Sequence, residues 1–191
     1  SENLAIVGSS GSGKSSLLYT LGTLEKVTSG QIKIDGKDIT RFKDEELANF
    51  RNKSIGFVFQ FHFLLPSMSA LDNILLPAKI GGFSTKEIKK RIDPFVELLK
   101  VGHCLKKYPY QLSGGEQQRI NIIRALSLNP ALLLCDEPTG NLDSKNTDIV
   151  LELLHGILKE IDSTLILVTH DEKVANSFDR KITIEDGQII S

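Results

Sequence analysis

The run Gly8-Ser9-Ser10-Gly11-Ser12-Gly13-Lys14-Ser15 has the composition of a phosphate cradle, with an apolar run before it and a helical one after it. Its glycines let successive backbone N–H groups turn inward as a nest. The helix start adds positive dipole, and Lys14 offers a mobile ammonium to the outer phosphates. Ser15 supplies a hydroxyl suited to Mg2+. A plain Gly/Ser turn would not need the Lys-Ser pair at that offset.

Further on, the apolar run 131–135 ends in Asp136 and Glu137, followed by Pro138-Thr139-Gly140-Asn141-Leu142-Asp143. An apolar strand ending in two carboxylates puts them at the mouth of a sheet, where a nucleotide beside the phosphate loop would sit. The first suits Mg2+ through water; the second suits a base, or a group that orients water for attack on the γ phosphate. Adjacent strand residues face opposite ways, so the two can hold different jobs. Alone, Asp-Glu-Pro reads as a solvated turn, and only its company changes that.

Between these two sites lies Leu112-Ser113-Gly114-Gly115-Glu116-Gln117-Gln118-Arg119. Ser113-x-x-Glu116 is a capping box and marks a helix start. Two glycines beside the serine leave bare N–H groups at a positive helix end, an anion site with no anion of its own nearby. Gln60 and His170 each follow an apolar run, 55–59 and 165–168, and in isolation read as a loop glutamine and a strand-end histidine. His62, His103 and His155 match no motif and are read as structural.

These residues need a scaffold. At 191 residues, with 40% hydrophobic and 25% charged content, the chain is sized for one buried domain. A net charge of -1 gives no basic excess for tracking a nucleic-acid backbone. No apolar stretch approaches the ~20 residues that span a bilayer, so a membrane link is expected only through a partner. Cys104 and Cys135 are too far apart for a metal knuckle, and Cys135 reads as core packing in a reducing compartment.

Apolar runs 4–7, 55–59, 132–135 and 165–168 alternate with helical stretches and predict a mostly parallel α/β sheet. Runs 31–34 and 181–184, each followed by an Asp-Gly turn, predict a small antiparallel layer against it. From Ser67 to Asn129 strand-like runs vanish, which predicts an inserted helical subdomain. Within it Ser84-x-x-Glu87 caps an amphipathic run to Val101 that Pro94 should kink or divide. Asn129-Pro130 returns the chain to the sheet. The apolar loop Phe61-His62-Phe63-Leu64-Leu65-Pro66 fits either burial beneath the helices or a docking groove for a partner helix.

Taken in order, the motifs resemble those of the ATP-binding cassette (ABC) family, and the resemblance covers essentially the whole chain. It implies a P-loop NTPase (RecA-like) core in a single domain, with 1–66 and 131–191 as the nucleotide-binding part and 67–130 as the helical subdomain. Asp136 becomes the Walker B carboxylate, Glu137 the catalytic glutamate, and Asn141-Leu142-Asp143 the loop that touches the opposite subunit. Gln60 becomes the glutamine that approaches Mg2+ and the attacking water, and His170 the switch histidine on the γ phosphate. Ser113, Gly114 and Gly115 become the contacts to ATP held by a second cassette. Ser16, where the family usually has Thr, keeps a hydroxyl. The family's adenine-stacking aromatic lies upstream of the first strand, which implies an N-terminus that is not complete here.

Gln60-Phe61-His62-Phe63-Leu64-Leu65-Pro66, Leu71-Asp72-Asn73-Ile74 and the run from Asp136 to Ser144 look most like the group of lipoprotein-releasing, macrolide-export and cell-division ATPases, leaning to the first. The resemblance implies an ATP- and Mg2+-dependent ATPase that closes as a homodimer and drives integral membrane permease subunits. Its place would be cytoplasmic, peripheral on the inner face of the membrane. Alternatives are a regulator of a cell-wall or division complex and a nucleic-acid-associated ATPase. The last is opposed by the about 100 residues between Lys14 and Ser113, too few for a long coiled-coil insertion.

Overall fold

Strands rich in Leu, Ile and Val with no polar alternation have no face to give to water, and the structure buries them accordingly. The computed structural model describes residues 2–140 and 144–190. In chain order the elements are β1 (Asn3–Val7), α1 (Lys14–Leu21), β2 (Lys33–Ile34), β3 (Lys37–Asp38), α2 (Asp44–Ser54), β4 (Ile55–Val58), α3 (Ala70–Ile80), α4 (Thr85–Leu98), α5 (Gly114–Leu126), β5 (Leu132–Asp136), α6 (Ser144–Ile161), β6 (Thr164–Val168), α7 (Glu172–Ala175), β7 (Arg180–Glu185) and β8 (Gln188–Ile189). The main sheet runs β4-β5-β6-β1-β7-β8, with β2 and β3 in a separate hairpin. From β4 to β7 the neighbours are all parallel. The C-terminal ends of β1, β4, β5 and β6 therefore lie along one edge, which is where the phosphate loop, Gln60, Asp136 and His170 leave the sheet.

The run 181–184 departs from expectation. It forms no layer with 31–34 but joins the main sheet parallel to β1, Leu4 opposite Arg180 and Val7 opposite Thr183. The short helix α7 supplies the crossover that parallel pairing needs, and Ile184 is buried with Ile6 and Val168. Among the described residues antiparallel pairing is confined to two hairpins, β2–β3 and β7–β8. Each turns on its Asp-Gly pair: Asp35 and Gly36 at φ +49° and +72°, Asp186 and Gly187 at +46° and +77°. Positive φ at both central residues is what a two-residue type I′ turn demands.

Between β4 and β5 the described elements are helical, α3 to α5 and two short 3-10 turns. Ser84 caps α4 by accepting from the Glu87 N–H, but the helix runs unbroken through Pro94 to Leu98. Pro94 lies on the solvent face, where water can serve the carbonyl it leaves unpaired. Ile88, Ile92, Phe95 and Val96 hold the other face down, and their burial outweighs the ~3 kcal/mol that an internal proline costs.

One apolar cluster runs from these helices into the sheet, joining Ile74, Ile92, Ile120 and Ile123 to Val58, Leu133 and Cys135. Cys135 is thus the core residue its strand implied. Gly56 lets α5 lie against β4: a Cβ there would stand 2.5 Å from the Ala125 carbonyl oxygen. On the other face Ile6, Leu18, Phe50, Leu134 and Val168 form a second cluster beneath α1 and α2. Among the described residues no helix is long and apolar enough to cross a membrane.

Candidate active site

The phosphate loop is shaped by backbone conformations that side chains resist. Gly11 and Gly13 sit at φ +80° and +99°, and Gly13 is the N-cap of α1. Gly8 is excluded from carrying a side chain for another reason: its Cβ would fall 2.2 Å from the Ile184 carbonyl oxygen of the neighbouring strand. The Gly187 N–H donates to Ser12 O at 2.9 Å, so the β7–β8 turn braces the loop from behind. Lys14 is buried, and its ammonium donates to the carbonyls of Gly8 and Ser9 at 2.9 and 2.7 Å. Ser9, Ser10 and Gly11 form the exposed rim, and Ser12 is buried beneath it. Ser16 is exposed, one residue beyond Ser15 on α1.

β5 carries Asp136 to the same edge. Every residue of the strand is buried, and the carboxylate takes two donors from α1: Ser15 Oγ at 3.1 Å and the Tyr19 hydroxyl at 2.7 Å. No local motif marks Tyr19. It stands four residues after Ser15, one helical turn on, so both reach Asp136 from one face. Burial pushes the Tyr19 phenol up to about 12, with the Asp136 hydrogen bond acting in the same direction.

Glu137 does not simply alternate with Asp136 along the strand. Its φ is +44°, a left-handed conformation that non-glycine residues rarely adopt. Two bonds hold it there, Glu137 N–H to Val168 O at 3.0 Å and Gly140 N–H back to Glu137 O at 3.1 Å. The turn aims its side chain at His170, with Oε1 2.8 Å from Nδ1. The pair borders a cleft of about 520 Å³ that Thr139, Asp148 and Lys173 also line. A side chain at Gly140 would fall 3.1 Å from Gln60 Nε2 and 3.3 Å from Glu137 Oε2, so Gln60 and Glu137 converge on that bare backbone. Asp136, Glu137, Gln60 and His170 are thus gathered at one sheet edge. Asp143 lies outside the described residues.

The capping box at 113–116 forms reciprocally: Ser113 Oγ accepts from the Glu116 N–H at 3.3 Å while Glu116 Oε2 takes the Ser113 N–H at 2.8 Å. That backbone bond first, then the Cys104 and His103 contacts, hold the Glu116 carboxyl down to about 2. Ser113 and Gly114 are exposed, and a Cβ on Gly114 would meet nothing within 4 Å among the described residues. A glycine there serves no packing need among the described residues.

A polar ladder on α5 is likewise marked by no local motif. Gln118 donates to the Pro138 carbonyl at 2.5 Å, Asn121 to the Phe59 carbonyl at 3.3 Å, and Arg124 to the carbonyls of His62 and Phe63 at 2.7 and 2.8 Å. Burial pushes the Arg124 guanidinium down to about 10. The signal was present as three polar residues at i, i+3 and i+6, one helix face. Of the loop they hold, Phe61 and Phe63 are 66% and 64% exposed, so burial beneath the helices is overturned for both. Phe63 instead edges a groove of about 320 Å³ shared with Phe57, Leu76, Ile80 and Leu128.

This arrangement of loop, acidic turn and capped helix is shared with known proteins. The family model described as "ABC transporter" matches residues 1–140. The chain belongs to the ABC transporter family. It is an ABC ATPase subunit, homologous to the lipoprotein-releasing system ATP-binding protein LolD. It is 46% identical to LolD of Geobacter metallireducens over 190 residues, which is 100% of this chain and 84% of that one. With LolD of Bacteroides fragilis it shares 45% identity, covering 99% and 88% of the two chains. Its fold superposes with a TM-score of 0.90, at 39% identity, on the dimeric structure of MJ0796, a bacterial ABC transporter cassette, over 100% of this chain and 84% of that one. The same values hold for a dimeric post-hydrolysis state of that cassette bound to ADP and phosphate.

Two consequences can be measured. Tyr19→Phe removes one of the two donors on a buried carboxylate and is expected to cost roughly 1–3 kcal/mol in urea unfolding; an unchanged midpoint would mean that the hydroxyl contributes nothing. Glu116 is held low in the folded chain, so its contribution is complete above about pH 4.5 and is lost as pH falls towards about 2. Across that window Glu116→Gln should lose stability less steeply than the parent, and identical acid limbs would contradict the low carboxyl.

Proposed function

We propose that this ABC subunit binds ATP on the phosphate loop, hydrolyses it with Glu137, and works as one of a pair attached to membrane permease subunits in lipoprotein release. One observation carries the reading: the Ser15–Asp136 pair and the Glu137–His170 pair, at 3.1 and 2.8 Å, stand side by side on one sheet edge. The kinked turn at Glu137 sends neighbouring carboxylates to different partners. That is what a division of labour between metal and water requires.

The residues Gly8 to Ser15, with Ser16, would cradle the phosphates, Lys14 moving from its own loop carbonyls to the phosphate oxygens. Ser15, Asp136 and Gln60 are hard oxygen donors, and two of them already share a hydrogen bond, so the set fits Mg2+. Bound there, the ion would neutralise charge on the β and γ phosphates. Glu137 orients water or takes its proton, while His170 steadies the carboxylate and reaches towards the γ phosphate.

Ser113, Gly114 and Gly115, with Asp143, would complete the site of a second copy, whose ATP lies in the interface. The exposed cap and the freedom at Gly114 support that. Residues 1–66 and 131–191 act as the nucleotide-binding part and 67–130 as the helical part. The groove beside Phe63 would receive a cytoplasmic helix of the permease, keeping the chain on the inner face of the membrane. Lipoprotein release rests on the relatives named for that system.

Glu137→Gln should retain ATP binding, lose turnover by about 10²–10⁴-fold and elute as a dimer with ATP on a sizing column; brisk hydrolysis by that variant would remove Glu137 from its role. Ser113→Arg should bind ATP as a monomer yet neither dimerise nor turn over, and full activity in it would dissolve the shared site.

A further inference from the structure

Three side chains beneath the capped helix have no part in the phosphate chemistry above. His103 and Cys104 lie on the 3-10 turn Gly102–Cys104, and Glu116 is in the first turn of α5. Glu116 Oε1 stands 2.9 Å from His103 Nε2 and 3.2 Å from Cys104 Sγ, and Sγ is 3.3 Å from Nε2. We infer that this triangle is a binding site for a thiophilic divalent cation of the zinc class.

The geometry is close to what such an ion imposes. Bonds of about 2.0–2.1 Å to nitrogen, 2.0–2.2 Å to oxygen and 2.3 Å to sulfur at tetrahedral angles set ligand separations of about 3.4–3.6 Å. The observed edges are shorter by only about 0.2–0.5 Å, as expected where protons hold the groups together. Small side-chain rotations would open the triangle to an ion.

Charge and chemistry agree. A thiolate and a carboxylate balance a divalent ion while the imidazole stays neutral, so the loaded site carries no net charge. The proton that the thiol now gives Glu116 leaves to solvent. Burial and then the Glu116 carboxylate push the Cys104 thiol up to about 11, against a smaller opposing pull from Lys107 and Arg119, so the ion itself has to displace the thiol proton. Mg2+ and Ca2+ take oxygen ligands and do not favour a thiolate or an imidazole, whereas His, Cys and a carboxylate suit zinc. The His103 side chain is 59% exposed, which gives the ion an entry and leaves a fourth position for water. Glu116 keeps its other oxygen, Oε2, on Ser113, so the cation and the helix cap use different atoms of one carboxylate. The other histidines, His62, His155 and His170, lie outside this cluster.

Co2+ tests the site in the untagged chain without nucleotide. The expected result is one ion per chain with a thiolate-to-cobalt charge-transfer absorption that added Zn2+ displaces. The remaining cysteine, Cys135, is sealed in β5, so Cys104→Ser should abolish the band. Should that buried substitution unfold the chain, His103→Gln, at an exposed position, should still weaken Co2+ binding about tenfold or more. No charge-transfer band in the parent, the same band in folded Cys104→Ser, or an unaltered affinity in His103→Gln would each overturn the site.

Discussion

A carboxylate at the end of a wholly buried strand is tolerable only with hydrogen-bond partners, and Asp136 finds two on a single helix. That requirement fixes α1. Ser15 and Tyr19 reach Asp136 only if the helix crosses the ends of β5 and β6 at one angle, and the same angle sets its first turn beside the phosphate loop. Gly8 completes the constraint from below, because the Ile184 carbonyl leaves no room for a Cβ. Cradle and acidic turn are therefore one rigid unit.

The helix α5 carries that rigidity outward. Its apolar side chains pack on β4 and the helices before it, while Gln118, Asn121 and Arg124 tie three separate backbone segments to one face. Those segments are the turn after Asp136, the residue before Gln60 and the exposed loop holding Phe61 and Phe63. A displacement of the loop must therefore move α5 or break the Arg124 hydrogen bonds to the His62 and Phe63 carbonyls. The capped end of α5, the acidic turn and the apolar groove share one strut, which gives motion at the groove a short physical path to the phosphate edge.

Much of this was legible in the sequence because local chemistry agreed with global need. The phosphate loop, both Asp-Gly turns, the capping box at Ser113 and the serine cap at Ser84 depend on residues within a few positions of one another, and all stand where their spacing puts them, although at Ser84 only the serine half of the expected box forms. The central strands were readable from unbroken apolar runs. What escaped depended on distance along the chain. Whether 181–184 pairs with β1 or with a hairpin is decided by the crossover through α7, and no pattern within the strand records it. Tyr19 reads as an ordinary aromatic until Asp136 arrives 117 residues later. Pro94 misled for the opposite reason: a strong local rule gave way to four buried side chains on the far side of its helix.

The exposed cap of α5 remains the part of the molecule that its own contacts explain least. The first turn of any helix leaves N–H groups without intrahelical partners. Here the Ser113 hydroxyl takes the Glu116 N–H and Glu116 takes that of Ser113, while Gly114 and Gly115 have no side chain with which to cover theirs. An anion brought by a second copy would find donors already aimed and held by a carboxylate with little freedom to move. On the proposed reading the lone chain offers ATP only the phosphate loop, and the pair adds this cap. A ligand shifts an equilibrium only by the difference in its affinity for the two states, so the contacts missing from the single chain are the ones that would drive it to pair. Hydrolysis then removes the phosphate that joins the two halves, and with it the reason for them to stay together.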